Sequence, residues 1–196
     1  MKYWVFKSDF GEEGVYLSSL PGAGPKDYEY SKGVSLVDRH PSEEASAMYY
    51  DPAYPERTKL NDFVDNLNGV LIANQKVVNI LQKLGVNNVE YLPVWLMDHQ
   101  DNLVSKDHVI LNVLGGVEII DMETSTYRMN ALIEDQVDRI KNLIVKNDAI
   151  PVGVHIFRAS KKQKLFFISD DLKQAFEKYN IKGYRAIVAD GWNGKS

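Results

Sequence analysis

Cysteine is absent from the 196 residues. Disulfides, thiol nucleophiles and thiolate metal centres are therefore excluded, and a reducing compartment suits the chain better than secretion as a small stapled scaffold. No stretch approaches the roughly 18 apolar residues of a membrane-spanning helix. The opening run Tyr3-Trp4-Val5-Phe6 ends at Lys7, with Asp9, Glu12 and Glu13 close behind. That falls short of the about 7–15 apolar residues of a signal peptide. Internal repeats and low-complexity tracts are also missing. Together these absences predict a cytoplasmic protein with no membrane partner.

Apolar residues make up 44% of the chain and charged residues 26%, too apolar for disorder and sufficient for a sizeable core. The expectation is a single domain over residues 1–196. It has a loop-rich, acidic and tyrosine-rich part at 1–58 and an α+β core at 59–190. The net charge is −4, and it is unevenly spread. Residues 1–70 hold 7 Lys/Arg against 12 Asp/Glu, and residues 71–196 hold 16 against 15. The acidic excess thus lies in the first third, where it repels nucleic acid and attracts basic partners.

The clearest folding signal is at residues 155–188. It reads as strand, basic turn, strand, a helix capped by Ser169 with Asp170 and Asp171 in its first turn, then Gly183 and a last strand. Leu172, Ala175, Phe176 and Tyr179 form that helix's apolar stripe. Asn74 caps an earlier helix with Val77, Val78, Leu81 and Leu84 on its buried face and Gly85 past its end. Residues 3–6 read as an opening strand, with Val15-Tyr16-Leu17 as its candidate partner. Leu60, Phe63, Val64 and Leu67 have helical spacing, and Val70-Leu71-Ile72 suits a short strand. Residues 89–97 read as a strand with an edge or bulge at Pro93. Residues 109–114 and 117–121, split by Gly115-Gly116, carry a hairpin signal. At 140–145 a strand competes with a helix over 134–144. Between Pro21 and Arg57 prolines and glycines are scattered and aliphatics are few, which predicts long loops with one short helix near 42–48. The whole suggests an α+β fold with a mostly antiparallel sheet, a few helices and a long irregular N-terminal segment.

Catalytic chemistry is sparse. The tail Gly191-Trp192-Asn193-Gly194-Lys195-Ser196 looks like the end of a phosphate-binding loop, but Ala189 stands where its first glycine belongs and no helix follows. A frayed terminus is the plainer reading. Pro21-Gly22-Ala23-Gly24-Pro25 is a turn. Asp98, His99, Asp101, Asp107 and His108 form the one histidine–carboxylate cluster, and solvated histidines explain it better than a metal site. No serine sits in a nucleophile elbow. Lys161, Lys162 and Lys164 suit a solvated, edge-protecting turn more than a nucleic-acid contact. Neither a cofactor nor a metal is implied. What remains is a stretch where tyrosines alternate with carboxylates: Tyr28, Glu29, Tyr30, Glu43, Glu44, Tyr49, Tyr50, Asp51 and Tyr54. These either contact a basic partner surface or cover the sheet in place of aliphatic residues.

The second half carries an ordered series. It comprises Val89-Glu90-Tyr91-Leu92-Pro93-Val94, Leu111-Asn112-Val113, Ile120-Asp121-Met122-Glu123-Thr124-Ser125, Ile156-Phe157-Arg158, Leu165-Phe166-Phe167-Ile168-Ser169-Asp170 and Gly183-Tyr184. This series resembles immunity protein family 11 of bacterial polymorphic toxin systems over residues 60–188. The resemblance implies a cytoplasmic, non-enzymatic antidote that binds a cognate toxin domain, and it brings no catalytic or cofactor residue. Two other readings stand beside it. One is a small-molecule-binding domain or hydrolase with a pocket against the sheet, drawing on His99, His108 and His155. The other is an accessory protein of a secretion system.

Overall fold

A computed structural model describes residues 2–195; Met1 and Ser196, the last residue of the loop-like tail, lie outside them. Along the chain the strands are β1 (Tyr3–Ser8), β2 (Tyr16–Leu17), β3 (Ala47–Tyr49), β4 (Phe63–Asn66), β5 (Ile72–Asn74), β6 (Val89–Met97), β7 (Leu103–Val113), β8 (Thr126–Met129), β9 (Val137–Asn142), β10 (Ile156–Ala159), β11 (Lys162–Ser169) and β12 (Tyr184–Val188). The helices are α1 (Gln75–Lys83) and α2 (Asp170–Lys178).

One sheet has the order β10-β11-β1-β12 and is antiparallel throughout. Successive side chains of a strand point to opposite faces, so a strand covered on both sides reads as a continuous apolar run. That accounts for Leu165-Phe166-Phe167-Ile168. Phe166 and Ile168 enter the core shared with α1 and α2, while Leu165 and Phe167 enter a second core beneath β9. β1 divides the same way, with Phe6 on the helix side and Tyr3 and Val5 on the other.

The second sheet has the order β2-β4-β5-β7-β6-β3. Its inner ladders are antiparallel, and the short edge pairs β2–β4 and β3–β6 are parallel. The two edges also meet. Leu17 bridges Tyr50, Ser18 donates its amide to the Tyr49 carbonyl at 3.1 Å, and Asp51 donates to the Tyr16 carbonyl at 2.8 Å. The sheet is thereby rolled into a small barrel filled by Leu17, Met48, Val64, Ile72, Leu92 and Ile110, among others. Closure removes the unpaired edges that invite aggregation. The barrel's outer face, with Phe63, Val109 and Leu111, packs against the helices and β1. Phe63 lies edge-on to Phe6 at 5.0 Å and to Phe176 at 5.5 Å, so one aromatic cluster ties barrel, sheet and α2 together. Burial of each such ring contributes roughly 1.5–3 kcal/mol.

Both helices begin as their caps predict. The Asn74 side chain accepts from the amides of Lys76 and Val77, and Ser169 accepts from Leu172. Tyr179 lies past the end of α2 and is exposed, so the apolar stripe stops at Phe176.

Several expectations are corrected. β2 pairs with β4 and not with β1. Residues 63–66 form a strand because Phe63 and Val64 are buried in different cores on its two faces, a pattern that imitates helical spacing. Residues 42–48 hold only a 3-10 turn, Glu43–Ser46, before β3. Gly115-Gly116 does not make a hairpin. The Gly115 amide donates to the Gly33 carbonyl at 2.8 Å, and a Cβ on Gly116 would lie 2.9 Å from Ser160 Cα, so these glycines let backbones cross closely. Residues 117–121 make only isolated bridges, from Val117 to Ala159 and from Ile120 to Val145. At 134–145 the strand prevails, as β9 pairs with β8. As far as Lys195 the tail is not frayed. Ala189 and Trp192 are buried, and the Trp192 carbonyl accepts from the Leu143 amide at 2.9 Å. Pro93 sits in β6 where β3 no longer runs beside it, since β3 pairs only with Trp95, Leu96 and Met97.

Candidate partner-binding surface

Residues 18–46 contain no strand and lie over the barrel, to whose core Leu20, Tyr30 and Leu36 contribute. Their polar groups are tied down one by one. The Glu90 carboxylate on β6 accepts from the Leu36 amide at 2.9 Å, from the Ser35 hydroxyl and from Asn112 Nδ2 at 2.9 Å. Burial pushes the Glu90 carboxyl up, but these hydrogen bonds outweigh it and hold the group below the usual carboxylate range. His40 Nε2 donates to the Pro93 carbonyl at 2.8 Å, which fixes the tautomer, so Nδ1 accepts from the Tyr30 hydroxyl at 3.1 Å. Burial lowers the His40 pKa and pushes Tyr30 up to about 12.

Burial and hydrogen bonding divide the tyrosine and carboxylate candidates. Tyr30 and Tyr50 are buried barrel residues, and Tyr50 meets the His99 ring edge-on at 5.5 Å. They serve the fold and present no surface. Glu29 is held by the Lys26 amide at 2.9 Å and by Arg39 at 2.8 Å. Asp51 accepts from the Ala53 amide at 2.9 Å, and Tyr54 packs against Tyr16 and the Arg57 guanidinium. Glu43 and Glu44 are exposed on the turn that leads into β3, which carries the exposed Tyr49. Tyr28, 54% exposed, stands elsewhere, with Lys32 Nζ 4.6 Å from its ring centroid.

The histidine–carboxylate cluster is not brought together as a site. Asp98 closes a turn by accepting from the amides of Gln100 and Asn102, which leaves its carboxyl below the ordinary range. His99 lies by the Asp51 carbonyl at 3.2 Å, while His108 is buried in β7 with Nδ1 2.9 Å from the Ser105 hydroxyl. Among the described residues no three His, Asp or Glu are grouped so as to hold a metal ion. Nor is the lysine-rich stretch a solvated turn. Lys161 pairs with Asp135, and Lys162 Nζ donates to the Asp138 carbonyl at 2.6 Å, which leaves Lys164 exposed.

The sequence reading missed the tip of the β8–β9 hairpin. The Asn130 side chain accepts from the amides of Leu132 at 2.8 Å and Ile133 at 2.9 Å, and the Asn130 amide donates to the Gln136 carbonyl at 2.7 Å. The tip is therefore closed and fixed, yet Leu132 is 95% exposed and Ile133 59%. Leu132-Ile133 carried no strand or helix signal of their own, and Asn130, a turn former that bonds the backbone ahead of it, was the available signal. Beside the tip lies a cleft of ≈ 590 Å³. It is lined by Tyr28 and Lys32 from the covering segment, by Ile133 and Glu134 from the tip, and by Lys162 and Lys164 from β11. Beneath it Arg158 is 1% exposed and bonds the carbonyls of Ser31 and Gln163, two residues that also line the cleft. Among the described residues no carboxylate pairs with Arg158, Lys32 or Lys164. Burial lowers Arg158 to about 10, so it stays charged at neutral pH.

A second cleft of ≈ 240 Å³ is lined by Glu118, Ile120, Asp121, Met122, Lys146 and Lys161, among others. None of His99, His108 and His155 lines either cleft. Among the described residues no helix is long and apolar enough to cross a membrane. The profile of the Immunity protein family (Imm11) matches residues 1–189. No curated protein matches the chain.

Proposed function

We propose that this chain, which belongs to the Immunity protein family (Imm11), binds a cognate toxin domain in the cytoplasm and neutralises it by occupying a surface the toxin needs. The observation that carries this reading is a family match running through residues 1–189. The site chemistry supports it, because rigid exposed aromatic and aliphatic groups suit protein contact. The protein acts as a binder and not as an enzyme, with the whole chain working as one unit whose irregular N-terminal segment is part of the contact face. Within that segment Tyr28, Glu43, Glu44, Tyr49, Asp51 and Tyr54 contribute. The carboxylates steer a basic toxin surface toward the complex and act chiefly on the association rate.

Co-expression with the toxin domain encoded beside this gene tests the proposal. Growth is restored and the two proteins co-purify; persistent growth arrest without co-purification contradicts it. Reversing charge at Glu43, Glu44 and Asp51 slows association by about tenfold at low salt, and an unchanged association rate removes these carboxylates from the interface.

A further inference from the structure

The hairpin tip and the lysine-lined cleft differ in character from the acidic first third. The chain carries a net charge of −4, yet Lys32, Lys162 and Lys164 line this cleft against Glu134, and the unpaired Arg158 lies behind it. A cleft walled by protein focuses such a field. The neighbouring Leu132 and Ile133 are apolar side chains held outside by a hydrogen-bonded turn. The ion pair between Lys161 and Asp135 anchors the tip to the turn before β11. Little conformational freedom is left for a partner to remove, which favours tight binding.

We propose that this tip and cleft form the anchor of the toxin complex: an acidic loop of the toxin domain enters the cleft while Leu132 and Ile133 fill an apolar socket on it. The inference rests on the toxin-binding reading and deepens it by naming the chemistry the partner presents. Lys32 and Lys164 meet the incoming carboxylates, and Tyr28 and Ile133 pack on the loop's apolar atoms. A protein loop fits this surface better than a nucleic acid. Leu132 and Ile133 present exposed aliphatic side chains that a polyanion would leave unused, and an overall negative charge opposes a polyanion. The acidic residues near β3 then set the approach, and the tip and cleft set the lifetime of the complex.

The test uses the full chain and the toxin domain encoded beside its gene, with binding rates read by biolayer interferometry. Leu132→Asp and the double variant Lys32→Glu/Lys164→Glu change exposed residues only. Each raises the dissociation rate by about tenfold or more, as expected for an interface anchor, and leaves the melting temperature unchanged. Dissociation rates within about twofold of wild type overturn this inference alone. Absence of binding by the wild-type chain overturns the toxin-binding reading and this inference with it. A third arm uses a labelled single-stranded DNA oligonucleotide at physiological salt; tight binding that Lys32→Glu/Lys164→Glu abolishes overturns the assignment of a protein loop.

Discussion

The segment over the barrel and the tip of the β8–β9 hairpin both lie outside the strands, and they use their side chains in opposite ways. The covering segment is rich in tyrosine and carboxylate, yet much of that polarity is tied up within the molecule. Tyr30 bonds His40, His40 bonds the Pro93 carbonyl, and Glu29 is held by Arg39 and the Lys26 amide. The hairpin tip is short, and it turns Leu132 and Ile133 outward on a turn held by the Asn130 side chain. Buried polar groups must find partners, and the covering segment meets that demand while it seals the barrel. The tip has no core to seal, so its apolar side chains are free for another molecule. Composition alone left open whether the tyrosines face a partner or cover the sheet, and it did not mark the tip.

One residue type placed in both regions separates them most sharply. Leu36→Ala removes a side chain that is 1% exposed and costs about 2–4 kcal/mol. Leu132→Ala removes one that is 95% exposed and changes stability by less than about 0.5 kcal/mol. Urea denaturation of the two variants checks this, and equal losses would break the distinction.

A smaller effect is expected at the joint between the regions. Arg158→Met keeps most of the buried volume but abandons the Ser31 and Gln163 carbonyls, at a cost of about 1–3 kcal/mol. Hydrogen exchange should rise in residues 29–34; unchanged protection there would show that Arg158 does not hold the covering segment down.

The tyrosines give the next contrast. Tyr30→Phe loses the bond to His40 at about 1 kcal/mol, whereas Tyr28→Phe leaves the melting temperature in place. Equal shifts for the two variants would contradict the different roles assigned to them.

The smallest effect is on pH dependence. His40 has its folded pKa lowered by burial, and in Glu90 hydrogen bonding outweighs burial and lowers the carboxyl as well. A lowered folded pKa means stability that is present above the unfolded value and lost as pH falls through the folded one. Stability should decline below the ordinary value of 6.5 for histidine and again below 4.5 for glutamate. His40→Gln should flatten the first decline in melts across that range. His108 contributes in the same direction, so a slope unaltered by His40→Gln would assign the effect to His108 instead.

Much of the scaffold was legible where local signals agree. The Ser169 cap, the Leu172 and Phe176 positions and Gly183 made residues 155–188 readable, because caps and turns are decided within a few residues. Barrel closure was not readable, since it depends on β2 and β3, strands of 2 and 3 residues, meeting through long-range contacts. Residues 63–66 misled because burial on two faces erases the alternation that marks a strand, whereas at 117–121 the buried Ile119 and Ile120 imitate a strand in a stretch that makes only isolated bridges. At the surface the sequence located the tyrosines without distinguishing Tyr30 and Tyr50, which fill the barrel, from Tyr28 and Tyr49, which face outward. Burial in the folded barrel makes that separation.

The central claim is that the protein protects by holding a toxin and not by acting on it. Titration of the purified toxin domain's activity with this chain tests that most directly. Inhibition should reach completion at a fixed molar ratio, and active, chemically unaltered toxin should be recovered after the complex is dissociated in denaturant and refolded. Inactivation by far less than one equivalent, or a covalently changed toxin in the mass spectrum, would contradict the account.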